Sequence, residues 1–97
     1  MAEKFFPWDV ADHLVSDIDA AAYLDACIIG DPGDGSLVRA ALNDIARARG
    51  MSQLARDTGI SREGLYKALS SNGNPEFATV LKVARALGVR LQAVPAV

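Results

Sequence analysis

Little in this sequence supports covalent or metal chemistry. The 97 residues include one cysteine, Cys27, and one histidine, His13. A lone cysteine excludes a disulfide framework within the chain and fits a reducing compartment. It reads as a small buried hydrophobe on a helix. A lone histidine with no second His or Cys nearby offers no zinc set and nothing from which to argue a Ser–His–Asp triad. There is no P-loop, no dinucleotide-binding glycine pattern and no zinc spacing. No apolar run approaches about 18 residues, so no segment is expected to span a membrane. No charged start leads into an apolar core, so no signal peptide is expected. Internal repeats and low-complexity segments are also absent. These absences describe a cytoplasmic chain without cofactor or metal that is not an enzyme. At this length it should form one domain over residues 1–97 with a modest core.

Charge is scarce in sum and abundant in pattern. The net charge is only −2. Residues 1–38 hold one cation, Lys4, against eight acids: Glu3, Asp9, Asp12, Asp17, Asp19, Asp25, Asp31 and Asp34. Residues 39–97 hold nine cations against four acids. Such asymmetry points to two different partners. The basic part suits phosphate. The acidic part should face away from nucleic acid or toward a basic protein, although a solvated helix face is the plainer reading of it.

Residues 51–70 are the most informative stretch and read as a helix-turn-helix. Two short helices crossing steeply need a small residue at their contact, and Ala55 sits midway along the first. Gly59 can take the positive φ of a sharp turn, Ile60 can plug it, and Ser61 can cap the second helix. Leu65 and Leu69 then share one inward face. Ser61, Arg62, Glu63, Tyr66 and Lys67 remain to face a major groove, with Gln53 on the first helix nearby. The competing reading is an ordinary helical hairpin with a solvated outer face. Gly64 costs roughly 0.5–1 kcal/mol relative to Ala in a helix, which suggests either close approach to DNA or tight helix packing.

The rest of the chain supplies the frame. Residues 1–8 should be an extended arm carrying Phe5, Phe6 and Trp8, used to cover the core or to bind a partner. Asp9–Leu14 should make a short helical turn. Ser16 should open a helix with Asp17 and Asp19 at its positive end, and with Ile18, Ala21, Ala22, Leu24, Ile28 and Ile29 as its inner face. The run Gly-Asp-Pro-Gly-Asp-Gly at 30–35 should stop it. Ser36 should cap the next helix, with Leu37, Ala41, Ile45 and Ala48 recurring on one side and Gly50 ending it. After residues 70–73, Asn74 should cap a helix with Pro75 at its first position, a stripe of Phe77, Val80, Leu81, Ala84 and Leu87, and Gly88 as its stop. Residues 89–94 alternate like a short strand, whose unpaired edge needs a partner. That partner is either the N-terminal arm or the same strand of a second subunit.

The fold expected is mostly α, with five helices. An acidic arm and helix occupy 1–35, the helix-turn-helix core 36–88, and a C-terminal strand or tail 89–97. The blocks at 41–55, 58–70, 73–77 and 80–88, together with Asp-Ala-Ala-Ala-Tyr-Leu at 19–24, resemble the addiction module antidote proteins. These are HigA-like antitoxins of the Cro/phage-repressor, or lambda-repressor-like, helix-turn-helix class. Wider phage repressors often carry Gln where Met51 stands and Val or Ile where Leu65 stands. The resemblance implies a dimeric repressor that binds double-stranded operator DNA and a RelE/HigB-like toxin. A stand-alone prophage repressor and a helix-turn-helix scaffold used only for protein binding are the alternatives.

Overall fold

The computed structural model describes residues 16–96, and it is helical throughout its regular parts. Five helices follow in order: α1 Asp17–Gly30, α2 Ser36–Arg49, α3 Met51–Thr58, α4 Arg62–Ala68 and α5 Phe77–Ala86. The expected arm at 1–8 and the turn at 9–14 lie outside the described residues.

The opening of α1 follows the sequence closely. Ser16 adopts an extended conformation, and its hydroxyl accepts the Asp19 N–H at 3.1 Å. Asp17 and Asp19 stand at the positive end of the helix dipole. The face that α1 buries keeps Leu24 and Cys27 as expected but not the other residues expected there. Ala20, Leu24 and Cys27 enter the core, with Tyr23 beside them. Ile18, Ala21, Ala22, Ile28 and Ile29 are exposed. The helix is apolar on nearly every side, so periodicity alone does not choose a face. A polar contact accompanies the buried face: the Tyr23 hydroxyl donates to Asp44 Oδ2 on α2 at 2.7 Å. Burial, and then this bond, push the Tyr23 phenol far above its usual range, so it stays a donor. Burial also pushes the Cys27 thiol up.

The start of α2 is capped from a distance. Ser36 is the first helical residue rather than the cap, and Gly35 precedes it in a left-handed conformation. The capping acceptor is Asp31. Its Oδ1 takes the N–H groups of Leu37 and Val38 at 2.8 and 3.2 Å, and its Oδ2 those of Gly33 and Gly35 at 2.8 and 2.9 Å. Asp34 Oδ1 takes the Ser36 N–H at 2.9 Å. One carboxylate thus folds the glycine-rich loop and satisfies two amides that the helix cannot. Partial burial pushes the Asp31 carboxyl up, but its backbone donors outweigh this and hold it below the usual carboxylate range. The sign of the pH dependence follows. A depressed native pKa gives stability that is complete above the unfolded value near 4 and is lost as pH falls through the native value. Asp31→Ala should therefore melt at a lower temperature than the wild type at pH 7. The gap should narrow below about pH 4, as thermal melts across pH 3–7 would show. A gap independent of pH would remove the carboxylate from this role.

Gly50, with φ 102°, ends α2 and leads directly into α3. α2 packs on both α1 and α3, and α3 packs on both α4 and α5. The shared core holds Ala41, Leu42, Ile45 and Ala46 from α2, Met51 and Leu54 from α3, Leu65 and Leu69 near α4, and Val83, Ala84, Leu87 and Val89 around α5. Leu37 of α2 and Leu81 of α5, expected inside, are partly exposed, while Leu42 and Val83 are buried in full.

α5 begins two residues later than Asn74 and Pro75 suggest. Glu76 is extended at ψ 153° and precedes the first helical residue, so the helix cannot start before it. The loop ahead of it is pinned. Gly73 lies so close to α4 that a Cβ would stand 2.2 Å from the Ala68 carbonyl oxygen. Arg39 Nη2 donates to the Ser71 carbonyl at 2.9 Å. As a result Phe77 opens α5 at 71% exposure instead of joining its inner stripe. The helix ends as expected at Gly88. The Gly88 N–H meets the Arg85 carbonyl at 3.1 Å and the Val89 N–H the Ala84 carbonyl at 3.0 Å, a Schellman closure with Val89 buried beyond it. Asp17 lies across this turn, bonded to Arg49 Nη2 at 2.7 Å.

Residues 89–96 form no strand, and there is no strand among the described residues. Val89 and Leu91 pack against the chain's own core rather than outward. A strand requires a ladder partner, and the described residues supply none to this segment.

Candidate nucleic-acid interface

The connection between α3 and α4 is short and well fixed. Gly59 adopts φ 76°, and its N–H meets the Ala55 carbonyl at 2.9 Å. A side chain there would strain the backbone by roughly 1–2 kcal/mol without touching anything, because the space around it is open. Thr58, which the sequence reading passed over, locks the turn. Its hydroxyl donates to the Leu54 carbonyl at 2.8 Å and accepts the Ile60 N–H at 3.2 Å. A threonine at a helix end, one residue before a glycine, is a readable signal for such a bond.

α4 then starts on Ser61, whose hydroxyl accepts the Gly64 N–H at 3.0 Å. Ser61 therefore has a structural task, whatever else it meets. Gly64 is crowded from within. A Cβ would stand 3.1 Å from Ser61 Oγ and 3.2 Å from Ile60 Cγ2. A side chain there would need the Ser61 and Ile60 side chains to give by a few tenths of an ångström, which favours the packing explanation for this glycine.

Leu65 and Leu69 face the core, and Ser61, Arg62, Glu63, Tyr66 and Lys67 are exposed. The structure brings two of these together. Arg62 Nη2 lies 3.4 Å from the Tyr66 hydroxyl, and the guanidinium carbon 5.8 Å from the ring centroid. Gln53 is exposed on α3 in a chain of contacts. It donates to Asp57 Oδ1 at 2.8 Å and accepts from Arg56 Nη2 at 2.8 Å. Arg56 was not among the sequence candidates, although it lies one helical turn from Gln53 and supplies α3 with a cation. The exposed side chains of α3 and α4 include the cations Arg56, Arg62 and Lys67 and the acids Asp57 and Glu63, with amide and hydroxyl groups among them. Such a surface can donate to phosphate and to base edges. Among the described residues no group of three His, Cys, Asp or Glu side chains could hold a metal ion, and no described helix is long and apolar enough to cross a membrane.

The family described as "Probable addiction module antidote protein" matches residues 4–95. A protein of Haemophilus influenzae described only as uncharacterized is 54% identical over 92 residues, which is 95% of this chain and 93% of that one. No solved structure matches.

Proposed function

The chain belongs to the probable addiction module antidote family, and on that premise we propose that it is the antitoxin of a type II toxin–antitoxin module. In this reading it is a cytoplasmic, HigA-like repressor of the Cro/phage-repressor class. It binds operator DNA through α3 and α4, as a helix-turn-helix, and it binds a RelE/HigB-like toxin. It acts by occupancy and catalyses nothing.

One observation carries the DNA-binding part. A helix of 7 residues follows a left-handed glycine turn, buries Leu65, and leaves Arg62, Glu63, Tyr66 and Lys67 exposed. Arg62 at its first position has the donor fork that suits guanine edges, and Lys67 and Arg56 suit phosphate. A reader of this size meets few base pairs, so dimers on half-sites about 34 Å apart are the usual solution. The dimer contact we propose is the backbone of 89–94, which forms no strand among the described residues and would become one by pairing with a second copy. Leu91→Pro removes an N–H from that backbone, so sedimentation should give a dimer for the wild type and a folded monomer for the variant. A variant that stays dimeric moves the interface elsewhere.

The reading as a whole is tested on DNA from upstream of the chain's own gene. Affinity should fall linearly with the logarithm of salt concentration. Co-expression should also abolish the toxicity of the adjoining gene product. Neutralisation without any DNA shift at low salt would instead make the domain a protein-binding scaffold.

A further inference from the structure

α1 has two apolar faces, and the fold uses one. Ala20, Leu24 and Cys27 line the core. On the other side Ile18, Ala22, Asp25 and Ile29 follow one another at helical spacing, with Ala21 and Ile28 alongside, and all are exposed. Ile18 is 82% and Ile29 78% exposed. A single exposed isoleucine is ordinary, but a line of apolar side chains along one helix marks a contact surface. Ile18 and Ile29 are separated by about 16 Å at 1.5 Å per residue, the reach of a helix laid in a groove with anchors near each end.

Charge identifies the occupant. Residues 17–34 carry five acids and no cation. Asp17 is bonded to Arg49, and Asp31 and Asp34 serve the cap of α2. Asp19 and Asp25 remain exposed on α1 itself. A second copy of this chain docking here about a two-fold axis would bring like carboxylates together, which is unfavourable. Nucleic acid is repelled. A basic protein is attracted, and the RelE/HigB-like toxin proposed above would be one if it cleaves RNA, since it must then attract phosphate.

We propose that the outer face of α1 is the surface on which the toxin sits, with Ile18 and Ile29 as apolar anchors, Asp25 between them and Asp19 beside them as the steering charges. This rests on the antitoxin reading above. The probe is the protein encoded by the adjoining reading frame, in a catalytically inactive form, titrated against the full chain. Ile18→Glu with Ile29→Glu should weaken the complex by roughly 30-fold or more. The melting temperature, sedimentation and operator affinity should not change. Asp19→Asn with Asp25→Asn should slow association at low salt and do so less at high salt. Unchanged toxin affinity in the isoleucine variant overturns the assignment. So does a large fall in its melting temperature, which would place the chain's own residues on this face, or a change in its sedimentation, which would place a second copy there. A wild-type chain that does not bind the probe overturns the antitoxin reading itself, and this surface with it.

Discussion

Leu65→Ala should cost about 2–5 kcal/mol of stability. Leu65 is 0% exposed and lies in the core cluster with Leu54 and Leu69. It is the inward side chain within α4 that holds this short helix against α3. A helix of 7 residues has no independent stability, so the cavity should loosen the whole element rather than one contact. For a chain of this size the melting temperature should fall by roughly 10–30 °C. The urea midpoint should drop with the slope unchanged. Lys67→Ala, two residues away on the exposed side, should remain within about 0.5 kcal/mol of the wild type. Equal losses for the two would mean that α4 does not bury the side assigned to it.

On the DNA-binding function proposed above, Arg62→Ala should weaken binding to the operator by roughly 5–150-fold, the equivalent of about 1–3 kcal/mol. It should also relax base preference at one position. In the free chain Arg62 is already engaged with Tyr66. That contact is an exposed one, worth about 0.5–1 kcal/mol, so the guanidinium can leave it for a guanine edge at little cost. Competition binding on operator variants measures both effects. An identical loss on unrelated DNA would make Arg62 a phosphate contact instead.

The parts of the fold readable from sequence were those set by local rules. Ser16, Gly50, Gly59, Ser61 and Gly88 start and stop helices where their own chemistry requires it. Misreadings arose where a distant group decides. Asp31 reaches past five residues to cap α2, and no nearest-neighbour rule anticipates that. α5 begins beyond Asn74 and Pro75, after a loop that passes close to α4 at Gly73. α1 is apolar on most sides, so hydropathy alone leaves its inward side open, and the bond of Tyr23 to Asp44 depends on a helix 21 residues further along the chain. At the candidate interface the exposed side of α4 was legible, because two leucines four residues apart leave little choice. Its internal bonds, Arg62 with Tyr66 and Gln53 with Arg56 and Asp57, depend on rotamers and were not.

The contact of Asp17 with the Gly88 turn also has a mechanical meaning. The first turn of α1 abuts the turn that follows α5, so the described helices begin and finish side by side. A pull applied at Ser16 and Val89 therefore loads the exposed Asp17–Arg49 pair and the buried Val89 side chain first, ahead of the rest of the core. The geometry is that of a zipper opened from its end rather than two surfaces sheared past each other. α1 should peel from α2 at low force, residue by residue, while the helices from α2 to α5 still hold their shape.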